Sequence, residues 1–99
     1  MADAALIKDA VRRAEQCSPY LRGLIRRFPD ISSGQHWRSG LVPLIAPDCS
    51  VGEALRVAKG QLALATALGD LAGLLSLNDV MSALSSFADA ALEIGRAHV

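Results

Sequence analysis

The side chains able to do chemistry in this 99-residue chain are few and scattered. His36 and His98 are its only imidazoles, and neither has a carboxylate or thiol at metal-ligand spacing. His36, beside Trp37 in a polar stretch, reads as a structural or solvated residue rather than a catalytic one. Cys17 and Cys49 stand far apart with no CxxC spacing, which reads as two reduced, buried thiols rather than a redox pair. Asp70 interrupts the apolar run Leu62–Leu77 and is the one carboxylate whose setting could perturb it toward acid–base work. The commoner place for such a residue is a helix edge, paired with an arginine. Arg12, Arg13, Arg22, Arg26 and Arg27 could form a basic patch, but the simpler reading is a solvated helix face. No aromatic side chain is interleaved with them as a base-stacking surface would require. There is no glycine-rich phosphate loop after a strand, no nucleophile elbow and no acid–base pair. The sequence therefore assigns no catalytic, cofactor-binding or metal-binding residue.

The elements that would position any site are helices. Leu6, Ile7, Ala10, Val11, Ala14 and Cys17 recur with a helical period, and Lys8, Asp9, Arg12 and Arg13 occupy the opposite side. Ser18 caps a second, short helix with Pro19 at its first position, where a missing N–H costs nothing. Leu21, Leu24, Ile25 and Phe28 give it one apolar face, and Pro29 ends it by disfavouring helical geometry at Phe28. "SSGQHWRSG" reads as a loop from which Trp37 packs down on the helices. "LVPLIAPD" reads as extended or briefly helical between its prolines.

The strongest pattern follows. Ser50 and Glu53 have the spacing of a capping box. Behind them run two apolar stripes, Leu55–Ala58–Leu62–Ala65 and Leu64–Leu68–Leu71–Leu75, so this helix should be central and covered by neighbours. Gly69 and Gly73 cost helix propensity and point to close contact at the first and contact or fraying at the second. Ser76 with Asp79 opens a further helix whose face is Val80, Leu84, Phe87, Ala88 and Ala91. The expected fold is all-α: a small helical bundle in which a long antiparallel helix hairpin, about 50–74 and 76–94, packs on two shorter N-terminal helices.

Composition agrees. A chain this short supports one modest core, and 52 % apolar residues with only 4 % aromatics favour Ala/Leu helices over sheet. Zero formal net charge gives no cause to expect nucleic acid or an anionic membrane as partner. The charge is uneven, with seven Lys/Arg against four Asp/Glu in residues 1–40 and three against six in residues 41–99. The N-terminus has no signal-peptide pattern, and Asp70 breaks the most apolar stretch short of a membrane span, so a cytoplasmic location is expected.

"ALRVAKGQLALATALGDLAGLLSLNDVMSALSSFADAAL" resembles the helical segment that precedes a nucleotidyltransferase domain in bacterial glutamine synthetase adenylyltransferase/deadenylylase. The shared pattern is L-R-x-x-K, then A-L-x-D-L-x-G, a short connection, a helix opening x-x-V, and A-L-S-x-F-A-D-A-A-L. "SPYLRGLIRRFPDI" is similar to a short helix upstream in that family, so the resemblance covers most of residues 18–92. The chain departs from it at Gly60, where the family carries a basic residue, and stretch 32–49 has no counterpart. The resemblance implies a parent enzyme that transfers AMP to, or removes it from, a tyrosine of glutamine synthetase. ATP or ADP and Mg²⁺ serve that chemistry, and PII signalling protein is a regulatory partner. The family's Ser-Asp-x-Asp cluster follows "ADAAL" and has no equivalent here, so no family catalytic residue transfers to this chain. Met1 lying close to "SPYL" favours the N-terminal, deadenylylating half of the duplicated enzyme.

The closing heptapeptide Glu93–Val99, "EIGRAHV", has a separate reading. A common sequencing adaptor, AGATCGGAAGAGCACACGTCTGA, preceded by one G, translates to those residues followed by a stop. The expectation is that residues 1–92 are the helical N-terminal segment of a larger enzyme and 93–99 a non-native tail. The central helix should then leave Leu and Ala surface uncovered, and the isolated chain should be marginal, aggregating or oligomeric. The alternative is a stand-alone helical protein-interaction module without catalysis.

Overall fold

After the first helix, each α-helix begins where a hydroxyl or a proline places it. In a computed structural model, which describes residues 2–43 and 50–97, α1 spans Ala2–Cys17 and α2 Pro19–Arg27. Ser18 adopts extended geometry between them, and its Oγ accepts from the Leu21 N–H at 3.2 Å. Pro29 then acts twice. It ends α2 by holding Phe28 out of helical geometry, and it supplies the first position of a single helical turn, α3, Pro29–Ser32.

The segment expected to be a loop carries a 3₁₀ turn, Trp37–Leu41, which packs on the long helix α4, Val51–Leu71. Trp37 is 2 % exposed, as its expected packing requires. Gly40 lets the turn approach closely: a Cβ there would lie 2.8 Å from both the Ala65 Cβ and the Gln61 carbonyl oxygen. Of "LVPLIAPD", residues 44–48 lie outside the described residues.

α4 is the central element. Ile7, Ala10 and Ala14 of α1, Leu24 of α2, Phe28, Ile31 and Trp37 gather on its Leu64, Ala65 and Leu68. Ala54, Ala58 and Leu62 are buried as well. Its start is held by the Glu53 N–H donating to Ser50 Oγ at 3.3 Å. Its end is a Schellman closure, in which Gly73 N–H reaches the Asp70 carbonyl at 3.0 Å and Leu74 N–H the Gly69 carbonyl at 2.9 Å. Gly73 sits at φ +74°, so it is the left-handed residue of that closure rather than a frayed end. Gly69 marks close contact: a Cβ there would lie 2.7 Å from Trp37 Cζ3 and 2.6 Å from Leu75 Cγ.

α5, Leu77–Ala97, follows after a short connection. Its start is a fully reciprocal box, with Ser76 N–H on Asp79 Oδ2 at 2.9 Å and Asp79 N–H on Ser76 Oγ at 3.1 Å. The fold is thus a small all-α bundle, with no strand among the described residues. α5 runs past the expected end near residue 94, because Glu93, Ile94 and Ala97 tolerate helix and Arg96 pairs with Glu93 at 3.0 Å. That continuation follows from side-chain propensity and is indifferent to the origin of the codons.

Two expectations about burial are corrected. Cys17 is an exposed free thiol, since α1 buries its side centred on Ile7, Ala10 and Ala14, and the chain turns away at Ser18. Leu6, at the edge of that side, is also exposed. The uncovered apolar surface lies on α5 rather than on the central helix, whose stripes are covered except at Leu71.

Candidate functional site

The arginines singled out in the sequence divide by role. Arg12 and Arg13 both pair with Asp9 one turn earlier on α1, and their guanidinium groups, Arg12's hydrogen bond foremost, hold the Asp9 carboxyl below the usual carboxylate range. Arg13 also donates to the Leu71 carbonyl at 2.8 Å, satisfying an acceptor that the end of α4 leaves without a helical partner. Arg22 does the same for α1, placing Nε and Nη2 at 3.1 and 2.9 Å from the Glu15 carbonyl. Arg27 lies over the Phe28 ring, 5.5 Å from its centroid. Arg13 and Arg22 thus close helix ends, Arg27 covers an aromatic ring, Arg26 is exposed in the last turn of α2, and the five do not converge on a cleft. Tyr20, 63 % exposed on α2, lies in sequence between Arg13 and Arg22, so an aromatic is interleaved with these arginines after all.

The other candidates stay apart. His36 is exposed, and it is its backbone carbonyl that is engaged, accepting from Ser39 Oγ at 2.6 Å and the Ser39 N–H at 3.1 Å. His98 and Cys49 lie outside the described residues. Asp70 is exposed near the end of α4, and no arginine pairs with it among the described residues, contrary to the expected edge pairing. It borders a shallow cleft with Thr66, Ala67, Leu77 and Val80, while Thr66 Oγ1 is committed to the Leu62 carbonyl at 2.8 Å. A second cleft is closed on one side by Arg38, which pairs with Asp3 at 3.3 Å and stacks over Trp37 at 4.5 Å. Among the described residues no group of three or more His, Cys, Asp or Glu is gathered as a metal site would need.

What the structure does assemble is an apolar surface. The single face expected for α5 is two faces. Val80, Ala83, Phe87 and Ala91 are half-buried, and Phe87 lines a small cavity with Leu41, Val42 and Pro43 at the end of the 3₁₀ turn. Leu77, Met81, Leu84 and Leu92 point outward with 76, 54, 44 and 60 % of their surface exposed, and Ala88 lies exposed between them. The sequence signal was present: apolar residues span about 200° of the α5 circumference, wider than the roughly 100° stripe one neighbour covers. Comparison of the chain with protein families, with curated proteins and with solved structures gives no match. No helix among the described residues is long and apolar enough to cross a membrane.

Proposed function

We propose that the chain is a non-catalytic helical scaffold, the segment that precedes the nucleotidyltransferase domain in a bacterial, cytoplasmic glutamine synthetase adenylyltransferase/deadenylylase. The observation that carries this reading is the outward face of α5. It is a row of large apolar side chains with no cover, on the helix that leads into the catalytic domain in the family the sequence resembles. Residues 1–92 then form the scaffold, and Glu93–Val99 an appended tail. Mg²⁺ and ATP or ADP belong to the chemistry of the missing domain, as do glutamine synthetase and PII as partners. The described residues do not fit that chemistry, since they gather no carboxylate cluster to hold a cation. At Gly60 the departure from the family has a local cause. A Cβ there would already lie 3.0 Å from the Phe28 ring, which leaves no room for a long basic side chain.

A second reading, a self-contained helical interaction module, is favoured by the closure of the core around α4. No buried side-chain polar atom among the described residues lacks a hydrogen-bond partner. The source DNA separates the two. Under the scaffold reading the codons of Glu93–Val99 match the adaptor, and the genomic frame continues past Leu92 into a strand, a glycine-rich turn and a Ser-Asp-x-Asp cluster. A genomic stop codon after Leu92, or codons for the tail that differ from the adaptor, favours the module.

A further inference from the structure

We infer that the outward face of α5 pairs with the same face of a second copy of this chain, as an antiparallel two-fold contact between helices. The inference rests on the α5 face alone: in the 99-residue chain a second copy takes the face that, under the reading proposed above, the following domain would cover.

The spacing is the first argument. Leu77, Met81, Leu84, Ala88, Ala91 and Gly95 follow one another at intervals of four, three, four, three and four residues, with the half-buried Ala91 at the inner edge of the outward face. That is the a/d spacing by which one helix packs along another, set within the wider apolar arc of α5. The second argument is self-complementarity. The interval pattern is the same read in either direction, so two antiparallel copies centred on Ser86 set Leu84 opposite Ala88, Met81 opposite Ala91 and Leu77 opposite Gly95. Each large residue thus faces a small one, the alternation that lets two helices interdigitate without voids. A parallel pairing would set large on large at one end and small on small at the other.

Charge permits the contact. Asn78, Ser85 and Leu92 flank the seam on one side and Val80, Phe87 and Ile94 on the other, so no like charges face each other at its edges. Asp79, Asp89, Glu93 and Arg96 lie further round the helix. Area sets the strength. The exposed parts of Leu77, Met81, Leu84 and Leu92 amount to roughly 400 Å² per chain, so an isologous contact buries about 800–1,000 Å² in total, below the ~1,200 Å² of stable complexes. A contact of this size is weak and reversible.

Sedimentation equilibrium of the full chain from 5 to 500 μM tests this, with Leu84→Glu and Met81→Glu as variants. Both side chains are already exposed, so helix content by circular dichroism should be unchanged. The expected result is a monomer–dimer equilibrium weakened at least tenfold in each variant. Register is read in a Cys17→Ser/Cys49→Ser background. Met81→Cys alone should not cross-link, because antiparallel copies hold the two position-81 residues about 15 Å apart along the axis. Mixed with an Ala91→Cys chain it should form the mixed disulfide under mild oxidation. A wild-type chain that stays monomeric to 500 μM overturns the pairing and leaves the face to a further domain or another protein. Association unaltered in both variants, or cross-linking of Met81→Cys with itself, overturns it equally.

Discussion

Gly69→Ala should destabilise the fold even though it improves helix propensity, because three elements meet at that position. Residue 69 lies near the end of α4, with the Trp37 ring on one side and Leu75 on the other. Alanine favours a helix interior over glycine by about 1 kcal/mol. Against that, the added methyl would sit 2.7 Å from Trp37 Cζ3 and 2.6 Å from Leu75 Cγ, both far inside van der Waals contact. Trp37 is buried within the 3₁₀ turn, so its ring cannot withdraw without moving that turn, and Leu75 is half-buried with its main chain fixed by the closure of α4. Overpacking of this kind costs about 1–3 kcal/mol, and two constrained neighbours place it near 3. The expected net loss is about 2 kcal/mol, a fall in melting temperature of roughly 8–16 °C for a domain of this size. Gly23→Ala is the matched control. It lies within α2 with nothing inside 4 Å of its would-be Cβ, so it should gain about 0.5–1 kcal/mol. Thermal and urea unfolding followed at 222 nm reads both. If Gly69→Ala proves as stable as the parent while Gly23→Ala behaves as expected, Trp37 and Leu75 do not clamp the end of α4.

Other perturbations test separate joints of the structure. Trp37→Ala removes the largest buried side chain from the core cluster and should cost about 3–5 kcal/mol, leaving the chain largely unfolded at 25 °C by near-ultraviolet dichroism and amide dispersion. Ser76→Ala should cost about 1 kcal/mol through loss of the α5 cap, with faster amide exchange confined to the first turn of that helix. Asp79 is held below its ordinary pKa of 3.8, chiefly by the Ser76 backbone N–H. A lowered folded pKa means its contribution is complete above the unfolded value and fades as pH falls through the folded one. The Ser76 amide shift should therefore titrate below pH 4, and Asp79→Asn should abolish that titration. Arg13→Lys keeps the charge but not the fork shared between Asp9 and the Leu71 carbonyl, and should lower stability by less than about 1 kcal/mol in urea melts.

Helix starts were legible because they depend on local chemistry. Ser18 with Pro19, Ser50 with Glu53 and Ser76 with Asp79 each announce a first turn within four residues, and the structure uses all three. What the sequence did not reveal was set by neighbours. Trp37–Leu41 has no periodic signal, yet it folds into a 3₁₀ turn because Gly40 can press against Ala65 and the indole has a pocket beside Gly69. Cys17 has the right period to be buried and is not, since burial requires a facing element and none extends past Ser18. Period alone likewise merged the two faces of α5. The packing of α5 on α4 decides that Val80 and Phe87 turn inward while Leu77, Met81 and Leu84 turn out. The arginines read as a solvated helix face because a sequence does not display orphan carbonyls. Glu15 and Leu71 supply those at the ends of α1 and α4.

Under the proposed reading, residues 1–92 support the chemistry of a domain that follows Leu92. The direct measurement is mass-spectrometric detection of AMP gained or lost at glutamine synthetase tyrosine. The chain alone is compared with the chain extended by the genomic frame beyond Leu92, with Mg²⁺ and nucleotide supplied. The account predicts no change with the chain alone, and transfer or removal of AMP with the extension, impaired when Leu84→Glu disrupts the α5 face. AMP transfer or removal by the 99-residue chain alone would contradict it, as would an extended chain that leaves glutamine synthetase unmodified and does not remove AMP already attached.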